Sequence, residues 1–336
     1  MKYLYVLTSN DSDYYLEQAL LSMHSLRLHM PNAFISLIVD NITEATLTGK
    51  REAIRGLVNE LKSVTIEDRF NKKARSRWLK TSTREHITGD FLFIDCDTII
   101  AEDITALSNM KINLGAVLNE HASLSDLAKY NPAYLKEMQK LDRKLGFSST
   151  INLNHYFNSG LLLCKDSTIA HDFFGEWHRL WLYCFEQGNV TDQQSFNQSN
   201  YIQGNVISEL GGEWNCQVLS DGGIRYLHKA NIIHYFNPII EENPYLLGSQ
   251  KVFEKVKKTG VIDQEIMDML SNPKGLFVLN SRLKVVDIPM RKFSKSITYA
   301  VAQRLFNTKF GTIIESMTWF MYQKMFKPLR VKLSKK

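Results

Sequence analysis

The sequence predicts an α/β fold with a mixed, mostly parallel sheet flanked by helices, followed by a basic helical C-terminal region. Three observations predict it. Short apolar runs alternate with stretches of helical periodicity, as in successive β–α–β units. The apolar runs are continuous, which indicates strands that are buried on both faces. Polar residues follow several of these runs, at the sheet edge where ligands of such folds bind.

The elements can be placed in order along the first half of the chain. We expect strands at residues 3–7, 34–40, 91–94, 114–118 and 157–164. We expect helices over residues 14–30, 53–61 and 76–87. Pro31 and Gly89 close the first and the last of these helices.

The pattern changes near residue 245, where strand signals give way to helical periodicity. We therefore predict a sheet domain over residues 1–245 and a helical, basic region over residues 246–336. Residues 291–336 carry 11 Lys and Arg and one acid, Glu315, in a chain of net charge +6. The end of the chain is thus strongly basic and the rest mildly acidic. Such a basic end indicates an anionic partner, either phospholipid or nucleic acid.

Composition excludes several classes of protein. Hydrophobic residues make up 44% and charged residues 23% of the 336 residues, which excludes a disordered or collagen-like chain. The four cysteines lie far apart and form no CxxC pair, so a zinc ribbon is not expected. Such cysteines indicate reduced thiols in a cytosolic protein. The first apolar run is too short for a signal peptide, and no run reaches the length of a membrane-spanning helix.

Asp95-Cys96-Asp97 is the first motif that suggests chemistry. The spacing alone carries no weight, because Asp11-Ser12-Asp13 shares it and chance predicts about one such pair. Its context distinguishes the first pair, which ends an apolar strand. Both carboxylates can there face one hard cation such as Mg²⁺ or Mn²⁺. The alternative is helix capping by Asp97 or Asp103.

Cations precede this motif. Arg77, Lys80 and Arg84 are spaced i, i+3 and i+7, which places them on one face of the expected helix. Beside a metal-bound diphosphate they would neutralise its charge. The alternative is an ordinary solvated helix face.

Three later positions add polar groups. Asn158-Ser159-Gly160 leads into an apolar strand, where Gly160 permits a close approach of the backbone to a ligand; the alternative is a simple turn. Asp192 precedes a helical stretch and is either a polar group of the site or the N-cap of that helix. His234 follows an apolar run and is either a third metal ligand or a satisfied core residue.

Taken together and in order, these residues resemble the nucleotide-sugar glycosyltransferases of the GT-A fold, most closely glycosyltransferase family 8. The resemblance runs from about residue 1 to residue 240. It rests on six motifs in register: Thr8-Ser9-Asn10, Arg77 to Arg84, Asp95-Cys96-Asp97, Phe157-Asn158-Ser159-Gly160, Asp192-Gln193 and His234.

The resemblance implies a role for each matching residue. Asp95, Asp97 and His234 would hold Mn²⁺, or Mg²⁺, on the donor diphosphate. The implied donor-binding residues are Thr8, Asn10, Asp40, Arg77, Lys80, Asp95, Cys96, Asn158 and Ser159. Asp192 and Gln193 would be the catalytic pair, and Asn119 and Glu120 would face the acceptor.

The implied reaction moves a hexose from a nucleotide-diphosphate sugar, UDP-glucose or UDP-galactose, to a glycan or lipid-linked acceptor. Retention of anomeric configuration is the family expectation. Asp192 is the nearest nucleophile, so a covalent double displacement and a same-face attack both stay open. Many family members carry a lysine shortly after the metal histidine, whereas Tyr235 to Glu242 contains none.

Two other functions are compatible with such a sheet. A nucleotidyltransferase would typically carry a Gly-rich phosphate loop near its N-terminus, which Thr8 to Asp11 does not provide. A catalytically inactive sugar-nucleotide or membrane-binding protein would not need the complete metal set.

The C-terminal region resembles the basic, aromatic tail of membrane-associated bacterial glycosyltransferases. Its aromatic residues follow helical spacing, so an anionic membrane surface is expected to contact residues 291–336 and nucleic acid is not. A cytoplasmic protein that binds the inner face of the membrane is the resulting expectation.

Overall fold

The structure is a computed structural model that describes residues 1–220, 223–235, 246–277 and 296–306, together with residues 308, 313 and 317. The chain divides into two compact units. The first comprises Met1–Leu124 with Leu141–Leu283, and the second Ser125–Lys140 with Lys284–Lys336. Every described strand belongs to the first unit. The division at residue 245 stays a prediction.

Ten strands occur among the described residues. They are β1 Lys2–Leu7, β2 Phe34–Asp40, β3 Glu60–Val64, β4 Phe91–Ile94, β5 Thr98–Ile100, β6 Leu114–Val117, β7 Leu161–Cys164, β8 Ile207–Leu210, β9 Cys216–Gln217 and β10 Ile232–His234. Seven form one sheet in the order β3-β2-β1-β4-β7-β6-β8, and β5-β10-β9 form a smaller sheet. In the large sheet only β7 is antiparallel to its neighbours, so the prediction of a mixed, mostly parallel sheet is confirmed.

Along the chain, the described α-helices lie between the strands or follow the last of them. They are α1 Tyr15–His29, α2 Asn41–Thr46, α3 Lys72–Thr81, α4 Thr83–His86, α5 Leu124–Tyr130, α6 Pro132–Leu145, α7 Ser149–Asn152, α8 Thr168–Glu186, α9 Gln193–Ile202, α10 Ile224–Leu227, α11 Gln250–Thr259, α12 Gln264–Ser271 and α13 Ile297–Phe306. Short 3₁₀ helices cover Gly49–Gly56, Thr105–Asn109, Asn119–His121, Gly212–Asn215, Leu246–Gly248 and Lys274–Phe277.

Strand β1 shows why the central strands read as continuous apolar runs. Tyr3 and Tyr5 point to the face covered by α1, whereas Leu4 and Val6 point to the opposite face, which α3 and α8 cover. Successive strand residues point to opposite faces, so a sheet covered on both sides requires apolar residues at every position. Burying one such side chain contributes roughly 1.5–3 kcal/mol to folding.

One predicted helix is wrong. Residues 53–61, expected to be helical, contribute to the 3₁₀ helix Gly49–Gly56 and to strand β3. Strand β3 is the edge of the sheet and pairs in parallel with β2. Three of its five residues are polar, so it gave no strand signal, and its hydrogen bonds to β2 hold it in the extended form.

The predicted helix over residues 76–87 is divided at Ser82 into α3 and α4. The hydroxyls of Thr81, Ser82 and Thr83 donate hydrogen bonds to the carbonyl groups of the preceding turn, at 2.9, 2.8 and 2.9 Å. Such back-bonding bends helices. Arg84 therefore leaves the face of Arg77 and Lys80, and its guanidinium instead pairs with Asp166 at 2.7 Å.

The reversed direction of β7 determines which motifs meet. Leu161, the first residue of β7, pairs with Ile94, the last residue of β4. The residues that precede β7 therefore lie beside the residues that follow β4. The Asp95 backbone N–H donates to the Gly160 carbonyl at 2.9 Å, which joins the two motifs directly.

The C-terminal region is described only in part. Most of residues 291–336, including Trp319, Phe320 and Tyr322, lies outside the described residues. Among the helices that are described, none combines the length and the apolar character needed to cross a bilayer.

Candidate active site

Asp95, Asp97 and His234 converge at one point. Asp95 and Asp97 follow β4, and His234 ends β10. Antiparallel pairing of β10 with β5 sets His234 opposite Thr98, the residue after Asp97. One ligand atom from each of the three side chains lies within 4.8 Å of the other two, and His234 Nε2 is 3.2 Å from Asp97 Oδ1. Two carboxylates and an imidazole form a donor set that fits a divalent cation such as Mn²⁺.

A chain of side-chain amides fixes the histidine ring. The Gly160 backbone N–H donates to Asn158 Oδ1 at 2.9 Å, so this oxygen is an acceptor. Asn215 Nδ2 donates to the same oxygen at 2.9 Å, which leaves Asn215 Oδ1 to accept from His234 Nδ1 at 3.0 Å. Nδ1 therefore donates to Asn215, and Nε2, the ring nitrogen that faces Asp97, is the one that a metal would bind.

Gly160 is required by close packing around this group. A Cβ atom at residue 160 would lie 2.5 Å from His234 Cε1 and 2.8 Å from Asp95 Oδ2. Any larger residue would have to displace the side chains of Asp95 and His234, two of the three candidate metal ligands. Gly160 lies in a turn and also permits this close packing.

Lys80 and Asp192 form the core of a second, adjoining cluster. The Lys80 side chain is 4% exposed, and its Nζ donates to Asp95 Oδ1 at 3.1 Å and lies 3.3 Å from Asp192 Oδ2. Arg77 Nε lies 2.8 Å from Asp192 Oδ1, and Ser159 Oγ donates to Asp192 Oδ2 at 2.8 Å. Lys80 therefore links a metal-ligand carboxylate to Asp192.

Asp192 is ionised in this setting. Burial by itself would raise the pKa of its carboxyl, but the charges of Lys80 and Arg77 and the Ser159 hydroxyl outweigh burial and hold the pKa well below its usual range. Asp192 precedes α9, yet its side chain accepts no capping hydrogen bond from that helix. Gln193 adjoins the cluster, because its Oε1 accepts from the Ser159 N–H at 3.3 Å.

A cavity of about 400 Å³ opens beside both clusters. Five of the predicted residues line it, namely Thr8, Arg77, Asp95, Cys96 and Asp97. The cavity is also lined by residues that sequence reasoning missed, among them Tyr15, Gln18, Lys72, Lys73 and Ser76. Lys73 had one available signal, since it lies four residues before Arg77 and therefore on the same helical face.

Two predicted donor residues have other partners. Asn10 Oδ1 accepts from the Ser12 N–H at 3.0 Å and shapes a turn. Asp40 is fully buried, caps α2 by accepting from the Thr43 N–H at 2.8 Å, and pairs with Arg75. Neither residue is among those that line the cavity. Their contacts with a donor stay predictions.

The predicted acceptor residues lie at the end of β6. Asn119 Oδ1 accepts from Asn158 Nδ2 at 3.2 Å, which extends the amide chain from His234. Glu120 and His121 have φ values of 58° and 51°, which few non-glycine residues adopt. Gln217 holds this backbone, because its Oε1 accepts from the Glu120 N–H at 3.1 Å and its own N–H donates to His121 Nε2 at 2.9 Å.

Comparison with known proteins identifies the family. The sequence profile described as Glycosyl transferase family 8 matches residues 6–239. The chain belongs to glycosyltransferase family 8. It is a glycosyltransferase enzyme with a GT-A fold, and enzymes of this family use nucleotide-sugar donors and usually a divalent metal. No curated protein sequence matches this family 8 member significantly.

Solved structures with similar folds carry glycosyltransferase names. The galactosyltransferase LgtC, solved with donor and acceptor sugar analogs, is 14% identical with a TM-score of 0.49, over 79% of this chain and 98% of LgtC. GlyE of Streptococcus pneumoniae TIGR4 is 17% identical with a TM-score of 0.48, over 80% of this chain and 63% of GlyE. Mouse xyloside xylosyltransferase 1 is 13% identical with a TM-score of 0.44, over 69% and 96%.

Proposed function

We propose that this glycosyltransferase moves a hexose from UDP-glucose or UDP-galactose to a glycan or lipid-linked acceptor, with a divalent cation and with retention of anomeric configuration. One observation carries the proposal: Lys80 joins the Asp95–Asp97–His234 group to the Asp192 cluster beside a cavity of about 400 Å³. A metal-bound diphosphate and the sugar attached to it require two such neighbouring sites.

The metal end of the site would hold the leaving group. Asp95, Asp97 and His234 Nε2 would bind Mn²⁺ or Mg²⁺, which when bound supplies a Lewis acid for the diphosphate oxygens. Cys96 and Thr8 line the cavity next to these carboxylates and would contact the nucleotide. The Asn215 amide orients the imidazole for this role, as partners of metal-bound histidines commonly do.

The Asp192 cluster would bind the donor sugar. Asp192 is 5% exposed and already pairs with Arg77, Lys80 and Ser159, so its charge is balanced and its nucleophilicity is low. These contacts favour a same-face attack over a covalent double displacement. Asp192 then positions Lys80 and a sugar hydroxyl, and the departing phosphate oxygen takes the proton of the acceptor hydroxyl.

The residues near Asn119 would face the acceptor. Asn158 contacts Asn119 and belongs to the amide chain that ends at His234, so it lies between the two expected subsites. Asn158 and Gln193 would therefore line the donor sugar, and Asn119 with Glu120 would bind the incoming hydroxyl.

Hydrolysis of a panel of nucleotide sugars without acceptor tests the proposal. We expect slow release of UDP from UDP-glucose or UDP-galactose with Mn²⁺, and its loss with EDTA. Incubation with deuterated acceptor candidates and nuclear magnetic resonance of the product would then report the anomeric configuration. Absence of both hydrolysis and Mn²⁺-dependent nucleotide binding would contradict the proposed function.

We also propose that residues 291–336 bring the enzyme to an anionic membrane surface, on the cytoplasmic face. Ile297, Val301 and Leu305 lie on one face of α13 at four-residue spacing, and they are 47%, 53% and 42% exposed. An apolar row among lysines and arginines suits the interface of an anionic bilayer. Sedimentation with phosphatidylglycerol vesicles, compared with phosphatidylcholine vesicles, tests this, and equal binding to both would contradict it.

A further inference from the structure

Helix α3 presents a row of cations to the site. Lys73, Arg77 and Lys80 are spaced i, i+4 and i+7, so they lie along one face of the helix. Seven residues of helix separate the ends of the row by roughly 10 Å. Lys73 and Arg77 line the cavity, and Lys80 is buried where the two clusters meet.

Among the described residues, the cations beside the cavity pair with carboxylates, with Lys73 as the exception. Lys80 pairs with Asp95 and Asp192, and Arg77 pairs with Asp192. Lys72, also on α3, pairs with Asp13 at 2.7 Å. In the part of the chain that the structure describes, no carboxylate lies within ion-pair distance of Lys73. This ammonium group is therefore available to a ligand.

The formal charges around the cavity balance before any ligand binds. Lys72, Lys73, Arg77 and Lys80 supply four positive charges, and Asp13, Asp95, Asp97 and Asp192 supply four negative ones. When a ligand binds, the two positive charges of a divalent cation would cancel the two negative charges of a sugar-linked diphosphate. Among the four cations of this described set, Lys73 has no carboxylate partner, so its charge would be available to the phosphate oxygens.

The backbone at the start of α3 is less available for this task. Asn71 caps the helix, because its Oδ1 accepts from the Ala74 N–H at 3.0 Å. This cap occupies one of the first N–H groups of the helix, so side-chain charge at this end adds to what the remaining N–H groups offer an anion.

We propose that Lys73 is a donor-binding residue, which pairs with the diphosphate of the nucleotide sugar from the α3 side of the cavity. The inference rests on the proposed function, because it takes a nucleoside diphosphate as the ligand. It assigns two tasks to α3: Arg77 and Lys80 lie toward the donor sugar, and Lys73 pairs with the phosphates.

Titration calorimetry on the full chain tests Lys73 without turnover. The probes are UDP and UMP, each with Mn²⁺, and the variant is Lys73→Met. We expect UDP binding to weaken about tenfold, as for loss of one exposed charge-assisted hydrogen bond, and UMP binding to weaken less. The variant should also show a smaller loss of UDP affinity between 50 and 200 mM salt, while Lys73→Arg keeps most of the affinity.

Lys111→Met is the matched control, because Lys111 is exposed and is not among the residues that line the cavity. Unchanged UDP affinity in Lys73→Met, or an equal loss in both methionine variants, overturns the role of Lys73 while the proposed function stands. A wild-type chain that binds neither nucleotide with Mn²⁺ overturns both. Melting temperatures equal to that of the wild type establish that the variants are folded.

Discussion

Strands β2 and β4 both end in an acid after a buried apolar run, yet the two acids differ in what surrounds them. The Asp40 side chain is fully buried and satisfied, since it caps α2 and pairs with Arg75. The Asp95 side chain is 26% exposed, lines the cavity and, in the part of the chain that the structure describes, has Lys80 as its basic partner. A carboxylate at a strand end is thus accessible to a ligand only where its neighbours leave one side of it open.

The largest effect is expected at the open strand end. Replacing Asp97 by Asn removes one of the three proposed metal ligands, and we expect donor hydrolysis to fall by at least about 100-fold, because a bound metal supplies several kcal/mol of charge stabilisation. Thermal unfolding should change little, since the asparagine fills the same space and keeps His234 as a polar neighbour. Hydrolysis above a tenth of the wild-type rate would contradict the metal assignment.

At the closed strand end we expect the opposite result. Asp40→Ala removes a cap and leaves Arg75, whose side chain is only 12% exposed, without its partner. The free energy of unfolding should fall by roughly 3 kcal/mol, as for a broken buried ion pair, while the folded fraction keeps its hydrolysis rate. Urea denaturation measures the loss.

Asp103→Ala is the control for Asp40, because Asp103 caps the Thr105 N–H at the surface without a buried ion pair. It should cost about 1 kcal/mol or less. If Asp40→Ala instead left stability unchanged and abolished hydrolysis, the two strand ends would share a function and the contrast between them would be lost.

Gly160→Ala sharpens the comparison by crowding the open end. The added Cβ would lie 2.5 Å from His234 Cε1, so we expect Mn²⁺ affinity to fall at least tenfold and the free energy of unfolding to fall by about 2 kcal/mol. Gly175→Ala in α8 is a matched control, because a Cβ there meets no atom within 4 Å. Equal effects of the two variants would contradict the claim that a side chain at residue 160 crowds His234 and Asp95.

At the end of β6, the contribution of His121 to stability depends on pH. Burial, with the nearby charges of Arg225 and His234, lowers the pKa of His121 to about 4. The unfolded chain, with an ordinary histidine pKa near 6.5, binds more protons between these values, so stability is complete above pH 6.5 and is lost as pH falls toward 4. His121 should contribute roughly 2 kcal/mol to the loss between pH 7 and pH 5.

Urea denaturation of His121→Gln at both pH values measures this contribution. We expect the variant to lose less stability on acidification than the wild type does, since Gln keeps an acceptor for the Gln217 N–H and does not titrate. His155→Gln, at an exposed site, should leave the wild-type pH dependence in place. Parallel pH profiles for wild type and His121→Gln would contradict the assignment.

Local patterns in the sequence were sufficient for part of the fold and the site. The runs at β1, β2 and β4 are buried on both faces, so hydrophobicity alone marks them. Asp95 and Asp97 could be found because they follow such a run directly. His234 was a candidate ligand because it follows an apolar run, but only the family resemblance linked it to Asp97, since 137 residues separate the two and the pairing of β10 with β5 brings them together.

The remainder depended on information that local patterns do not carry. Strand β3 is polar and held by its pairing with β2, so no periodicity revealed it. Asn215 and Lys73 showed no motif, because their roles come from a contact with His234 and from the absence of a carboxylate near a cavity. Asp40 was indistinguishable from Asp95 until the position of Arg75 was known.

The chain of side-chain amides between Asn119 and His234 has a fixed donor-to-acceptor direction. Each carboxamide between Asn119 and His234 has a donor end and an acceptor end, and the backbone N–H of Gly160 sets the direction for all of them. A leucine at residue 158 has nearly the shape of asparagine but accepts no hydrogen bond, so it cannot transmit that direction. An aspartate could still accept from Gly160 and Asn215, but it could not donate to Asn119. The proton on His234 Nδ1 therefore depends on a backbone N–H that lies 74 residues earlier in the chain.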